Sequence, residues 1–152
     1  MIYRPLLIAA ISVFALSACQ ETPSETSKDV SQAQQSAAEN NQEARQDATE
    51  DRAQAEVKVA DAQLELASND ADGVKKLTAA ESDAMMATAK AKYDVAMTEA
   101  KGRYDVENQK CDALKGVGED ACRSTIKATL EAEEAAITAT RDAEVVSATY
   151  HE

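Results

Sequence analysis

The amino-acid sequence predicts an all-α protein, built either as a long antiparallel helical hairpin or as a three-helix coiled-coil-like bundle with one disulfide-stapled bend. Alanine occupies 32 of the 152 positions, and both prolines, Pro5 and Pro23, lie near the start. From residue 24 onward only glycine opposes helix formation, and from about Asp29 the alanines recur with helical spacing. A pair of cysteines, Cys111 and Cys122, flanks two glycines late in the chain. Large apolar side chains are few, so we expect the helices to pack without a thick globular core.

Residues 1–18 have the organisation of a secretory signal peptide. Arg4 is their only charged residue, an apolar run extends from Leu6 to Leu16, and the small residues Ser17 and Ala18 follow. The apolar run is shorter than the roughly 20 residues that a membrane-spanning helix needs. We therefore expect this segment to be removed on export.

The four residues "LSAC", which end at Cys19, resemble the lipobox of bacterial lipoproteins. The resemblance implies cleavage before Cys19, lipidation of that cysteine and attachment to a membrane. The alternatives are an ordinary signal peptide with a chance cysteine, or an uncut anchor. Gln20 follows the cysteine where aspartate would favour retention in the inner membrane. The expected location is therefore the outer membrane, facing the periplasm.

The charge of the chain limits its partners. The whole sequence carries 16 bases and 28 acids, and removal of residues 1–18 takes away one base, which leaves 15 against 28. Nucleic acids and anionic lipid head groups attract basic surfaces. We therefore expect no nucleic-acid partner, and we expect contact with the membrane through the lipid anchor.

After the anchor, residues 19–32 are polar and rich in Ser and Thr, and they are interpreted as a flexible linker. Residues 33–72 are predicted to form an alanine-rich acidic helix, because Ala48, Ala55 and Ala62 recur at one heptad position. Alanine burial contributes little free energy, so the early part of this helix is expected to pack poorly.

The segment "ASNDADG", residues 67–73, is predicted to separate two helices. Gly73 is suited to the left-handed conformation that ends many helices, and "TAAE" at 78–81 fits a capping box for a later helix start. Asp70 and Asp72 have the spacing of calcium-loop ligands, but Ala79 stands where the bidentate glutamate is required. An ordinary interhelical turn is the preferred interpretation, and no metal site is expected.

Residues 73–150 are predicted to form a helical hairpin, whose first helix runs to about Leu114. A weaker second face, with Val95 and Val106, suggests that this first helix has two packing partners. The motif "AKAKYDV" at 89–95 returns as "AKGRYDV" at 100–106, eleven residues later, which indicates a duplicated packing unit. The packing seam of the hairpin is predicted to comprise Met86, Tyr93, Met97, Tyr104, Ile126, Leu130 and Ile137.

Cys111 and Cys122 are predicted to form a disulfide. They are an even pair once Cys19 is assigned to lipid, and an exported protein meets an oxidising compartment. Gly116 and Gly118 allow the chain to reverse between them, while Glu119 and Asp120 favour the start of the next helix. An intermolecular bridge and a redox-active pair are the alternatives.

The segment from Ala89 to Lys127 resembles a group of small, alanine- and lysine-rich exported proteins of proteobacteria, sometimes labelled TolA-like. The specific part of the resemblance is the cysteine signature CDxLxGxxxDxC, which starts at Cys111. It implies an envelope location and a helical build, with no activity to transfer. This chain departs from the group in its lipobox and its acidity.

No catalytic constellation is recognisable in the sequence. His151 is the only histidine and lies one residue from the end, and Asp94 and Asp105 would lie about 16 Å apart along one helix. We expect no enzyme and no cofactor. The preferred hypothesis is an anchored lipoprotein with a structural or interaction role, through envelope proteins or self-association. A periplasmic binding module with a groove in the hairpin is the alternative.

Overall fold

The computed structural model describes residues 22–68 and 72–150, which form three helices. They are α1 (Pro23–Ala67), α2 (Gly73–Cys111) and α3 (Val117–Thr149). Each helix packs antiparallel to the next, and a disulfide joins Cys111 to Cys122 at the bend between α2 and α3. The predicted all-α class and the stapled bend are therefore confirmed. The predicted signal segment, Cys19, Asp70 and His151 lie outside the described residues.

Helix α1 begins at Pro23, ten residues before the predicted helix start at residue 33. Thr22 is its N-cap: its hydroxyl accepts a hydrogen bond from the Glu25 backbone N–H, and the Glu25 carboxylate accepts one from the Thr22 N–H at 2.7 Å. Proline is favoured in the first turn of a helix, because its missing N–H would have no helical partner there. The described part of the predicted linker is therefore helical, because a complete capping box starts the helix early.

The turn between α1 and α2 uses Gly73 differently from the prediction. Gly73 is the first residue of α2, and Gly116 is the glycine with positive φ in the described part of the chain. A Cβ atom at Gly73 would lie 2.7 Å from the Leu66 Cα, so glycine is needed here for close approach of the backbones. Thr78 does not cap a helix, since its hydroxyl donates to the Val74 carbonyl inside α2.

Helix α2 lies between the other two helices and contacts them with opposite faces. Residues two apart in a helix point about 200° from each other. Ala100 lines a groove between α2 and α3, whereas Gly102 faces Ala37 of α1. Ala100 and Gly102 are both buried. Among the described residues, no Cα atom of α1 lies within 8 Å of a Cα atom of α3. The three helices therefore form one layer rather than a closed bundle.

The eleven-residue repeat supplies the small residues for both faces of α2. Ala89 and its repeat partner Ala100 are each 1% exposed, and so is Ala91, whose repeat partner is Gly102. Because eleven residues make almost a whole number of helical turns, each pair lies on one face. The predicted duplicated packing unit therefore places one small residue towards α3 and one towards α1 in each copy.

The interface between α1 and α2 consists mainly of small side chains. Ala48, Ala55 and Ala62 are buried at seven-residue intervals on α1, and a Cβ at Gly102 would lie 2.9 Å from the Ala37 Cβ. Small residues let two helix backbones approach closely, so that many weak contacts accumulate along their length. This is why α1 packs along α2 as far as its early turns, where the sequence predicted poor packing.

Candidate functional site

The predicted seam lies on the α3-facing side of α2 and on the facing side of α3. Tyr104 of α2 lines a groove with Ile126 and Leu130 of α3, and the guanidinium of Arg141 lies 4.6 Å from the centre of the Tyr93 ring. All seven seam residues are half-buried: Met86, Tyr93, Met97, Tyr104, Ile126, Leu130 and Ile137. Helix α3 therefore covers the seam only in part.

The groove at Tyr104 has a volume of about 250 Å³. Arg103 and Glu133 form an ion pair of 2.8 Å at its edge. Pockets for small molecules usually have volumes of about 300–1,000 Å³ and enclose most of the ligand. The groove is thus smaller than a typical ligand pocket.

The opposite face of α2, with the predicted Val106, is directed towards α1. Val106 lines a shallow surface with Ala37 and Gly102. The two packing partners that the sequence suggests for α2 are therefore α1 and α3.

The bend between α2 and α3 is held at several points. The Cα atoms of Cys111 and Cys122 lie 5.7 Å apart, and Cys111 is fully buried. Arg123 pairs with Asp112, donates to Asn108 Oδ1 at 2.7 Å, and donates to Glu119 at 3.2 Å. The disulfide and the guanidinium thus join the C-terminal end of α2 to the second turn of α3.

The pKa of Arg123 is raised by its hydrogen bond to Glu119 and by the nearby charge of Asp112. Arg123 therefore stays charged at any physiological pH. Several hydrogen bonds from one planar guanidinium fix its orientation more tightly than a lysine ammonium would.

The tip of this bend is apolar and uncovered. Leu114 is 45% exposed and Val117 is 85% exposed. A Cβ atom built at Gly116 or Gly118 would meet no other heavy atom within 4 Å. Because Gly116 has a φ of 53°, the chain reverses there without a side chain that could cover its neighbours.

The charges of the helices are arranged around α2. Helix α2 has seven bases and six acids, whereas α1 has four bases and ten acids, and α3 has three bases and seven acids. Bases of α2 pair with acids on both neighbours. These pairs are Lys76–Glu65 at 2.7 Å and Lys90–Asp51 at 3.9 Å on the α1 side, and Lys92–Glu144 and Arg103–Glu133, each at 2.8 Å, on the α3 side. Each exposed pair contributes at most about 1 kcal/mol, but together they favour a central position for the least acidic helix.

Within residues 22–68 and 72–150, no helix has an apolar stretch long enough to cross a membrane. The same residues contain no group of three or more His, Cys, Asp or Glu side chains that is placed to hold a metal ion. Comparisons with protein-family models, curated proteins and solved structures returned no match.

Two features of the bend are absent from the sequence-based prediction. Arg123 follows Cys122 as Asp112 follows Cys111, so opposite charges at the same spacing as the cysteines could have indicated the ion pair. Val117 stands between Gly116 and Gly118, and Leu114 precedes Gly116 by two residues; apolar residues are unusual in an exposed turn. That combination was the available signal for an exposed apolar tip.

Proposed function

We propose that the protein is a bacterial lipoprotein, anchored in the outer membrane through acylated Cys19 and facing the periplasm, with a structural or protein-interaction role in the cell envelope. The observation that carries the proposal is the sequence "LSAC" at residues 16–19, directly after an apolar run with one preceding charge. An acyl chain contributes about 0.8 kcal/mol per buried methylene, and two or more chains give lasting attachment.

The helices support an interaction role rather than catalysis. Helix α1 has 45 residues, which gives a length of about 67 Å. A three-helix layer of that length exposes long edges and two broad faces, and the groove beside Tyr104 is smaller than a typical ligand pocket. Such surfaces are suited to contacts with other proteins along the helix axes.

The test of the anchor is the mass and location of the mature protein. We expect a mass that corresponds to residues 19–152 plus acyl chains, and recovery in the outer-membrane fraction. Cys19→Ser should abolish both, while the double variant Cys111→Ser/Cys122→Ser, which removes the same type of residue elsewhere, should leave acylation unchanged. An uncut precursor, or a mature wild-type protein without acyl chains, would refute the proposal.

The partner is best sought by crosslinking in intact cells. Photoreactive residues at Val57 and Val146, which are 60% and 52% exposed, sample the outward sides of α1 and α3. Capture of one envelope protein from either position would support an interaction role, and capture of a second copy would support self-association. If neither position captures a protein at native expression, a role in protein interaction is excluded for these two edges.

The groove beside Tyr104 favours a second candidate, a binding module for a peptide or small apolar ligand. Its apolar lining, Tyr104, Ile126 and Leu130, is the observation in support. We would titrate the protein with short apolar peptides and follow the Tyr104 ring resonances by NMR, with Tyr150, which is 86% exposed, as the internal control. Saturable shifts at Tyr104 alone would support this candidate, and equal shifts at both rings would exclude it.

A further inference from the structure

We propose that the tip of the α2–α3 bend, formed by Leu114 and Val117, is a second membrane contact beside the lipid anchor. The occupant of this apolar tip is the interfacial region of the lipid bilayer. The inference rests on the proposed acylation of Cys19, and it adds an orientation to the anchored protein.

The first step is that the tip lies at the same end of the molecule as the start of α1. Ala37 of α1 and Gly102 of α2 are in contact, and the two helices are antiparallel. From Ala37 back to Pro23, α1 extends about 21 Å, and from Gly102 forward to Cys111, α2 extends about 14 Å. The first turn of α1 therefore reaches past the end of α2 and lies level with the bend.

The second step is the short distance between the anchor and the helical layer. Cys19 is four residues before Pro23, the first residue of α1. Four residues span at most about 14 Å even when fully extended. Neighbouring packed helices are about 8–10 Å apart. An acylated Cys19 thus holds both the start of α1 and the adjacent bend near the membrane surface.

The third step is that the tip has the surface that an interface requires. Leu114 and Val117 are exposed apolar residues, and the space around Gly116 and Gly118 is open. Lys110, Lys115 and Arg123 balance the three acids of the same segment, residues 108–124, whereas α1 and α3 as a whole are strongly acidic. The bend itself is therefore apolar and locally neutral, so it approaches anionic head groups with less repulsion than the acidic helices would experience.

The tip of the bend is also held rigidly by the residues around it. The Cys111–Cys122 disulfide and the contacts of Arg123 hold the tip in one conformation, so the apolar side chains need not be ordered on binding. Pre-organisation of this kind reduces the entropic cost of association. With the acyl chains as one attachment point and the tip as another, the helical layer is held at a defined angle to the membrane.

The chain contains no tryptophan, so single-tryptophan variants report on one position each. We would add the acylated mature protein to preformed phosphatidylethanolamine–phosphatidylglycerol vesicles and compare Val117→Trp with the control Leu64→Trp. Leu64 is 71% exposed and lies about 60 Å along α1 from Pro23. An indole prefers the membrane interface at any position that reaches it, so the control corrects for the substitution itself.

We expect the indole at position 117 to emit at shorter wavelength than that at position 64, to be quenched by brominated acyl chains, and to be several-fold less accessible to iodide. Equal iodide quenching at both positions would overturn the inference and leave the proposed acylation standing. Protection from iodide without quenching by brominated lipid would also overturn it, because a second protein copy would then cover the tip. Absence of acyl chains from the wild-type protein would refute both the proposed function and this inference.

Discussion

At the scale of single residues, the packing of α1 on α2 depends on positions where a side chain is nearly absent. Gly102 lies inside α2, where alanine would be favoured by about 1 kcal/mol on helix propensity alone. A Cβ at this position would lie 2.9 Å from the Ala37 Cβ, which is short for any carbon contact and involves no flexible side chain. The contact therefore outweighs the propensity, and glycine is retained for packing.

We predict that Gly102→Ala lowers the free energy of unfolding by about 1–3 kcal/mol, as overpacking does in other tightly packed interfaces. The double variant Gly102→Ala/Ala37→Gly moves the missing methyl group to the other helix and should recover stability beyond the sum of the single effects. Denaturant unfolding monitored by circular dichroism measures both.

Gly118→Ala is the matched control for Gly102→Ala. Nothing lies within 4 Å of a Cβ at Gly118, so this change should leave stability unchanged or raise it by up to about 1 kcal/mol. If Gly102→Ala were as stable as Gly118→Ala, the proposed close contact with Ala37 would be wrong.

Glu25 is a second residue with a defined role, since its carboxylate accepts hydrogen bonds from the backbone N–H and the hydroxyl of Thr22. These bonds lower the pKa of Glu25 below its ordinary value near 4.5. A lowered folded-state pKa means that the stabilisation is present above the unfolded-state value and is lost as the pH falls through the folded-state value.

We predict that acidification below pH 4.5 frays the first turn of α1. The Glu25 carboxyl resonance should titrate below pH 4.5 in NMR spectra, and amide exchange at residues 25 and 26 should accelerate as it does so. In the Glu25→Gln variant, which lacks the titrating carboxyl group, the exchange of these amides should not accelerate over the same pH range. A midpoint at or above 4.5 for Glu25 would contradict the capping box.

At the scale of elements, the two interfaces of α2 differ in character. Towards α1 the helix presents small residues, such as Ala91 and Gly102, together with Val106. Towards α3 it presents larger, half-buried side chains, such as Tyr93 and Tyr104, which leave an open groove. Side-chain packing against α3 is therefore less complete, and the disulfide adds a covalent link between these two helices.

We predict that reduction of the Cys111–Cys122 disulfide destabilises the protein by about 3 kcal/mol, since the closed loop is short and the stabilisation arises mainly in the unfolded chain. The melting temperature should fall, and hydrogen exchange should accelerate in α3 and at the end of α2 before it changes in α1. The oxidised wild-type protein is the control, because no residue is altered. An equal loss of protection in all three helices would contradict a staple that acts at one bend.

At the scale of the whole molecule, charge and packing produce the same order of helices. The two acidic helices, α1 and α3, lie on opposite faces of the nearly neutral α2. Two helix spacings separate their axes by about 16–20 Å, which is roughly two Debye lengths at physiological ionic strength. The arrangement therefore keeps like charges apart and places the bases of α2 beside acids on both neighbours.

We predict the small-angle scattering of a non-acylated chain that starts at residue 20. As a monomer it should have a maximum dimension near the length of α1, about 70 Å. If α1 were detached from α2, end-to-end helices would give a much larger value. Gly102→Ala provides a useful comparison, because a weakened α1–α2 interface should increase the maximum dimension. An unchanged profile in a variant that is measurably destabilised would indicate that α1 remains docked.

Much of the local structure could be predicted from the sequence. The positions of Cys111 and Cys122 around Gly116 indicated the bend, and the eleven-residue repeat indicated the packing faces of α2. The predicted start of α1 is too late, because the Ser/Thr-rich composition of this segment favours a linker, whereas the capping box of Thr22 and Glu25 starts the helix at Pro23. The prediction of a left-handed cap at Gly73 is wrong, because glycine is needed there for the close approach of the Leu66 backbone.

The helical class, the stapled bend and the motif "LSAC" on which the proposed anchor rests are predictable from the sequence, because they follow from residue types at short spacing along the chain. The positions of α1 and α3 on opposite sides of α2, and the uncovered tip of Leu114 and Val117 beside the start of α1, depend on how the helices pack. An alanine stripe offers a nearly uniform surface, so its pattern does not specify register or partner. Register is decided by contacts distant in sequence, such as Gly102 with Ala37, which exist only once the helices have packed.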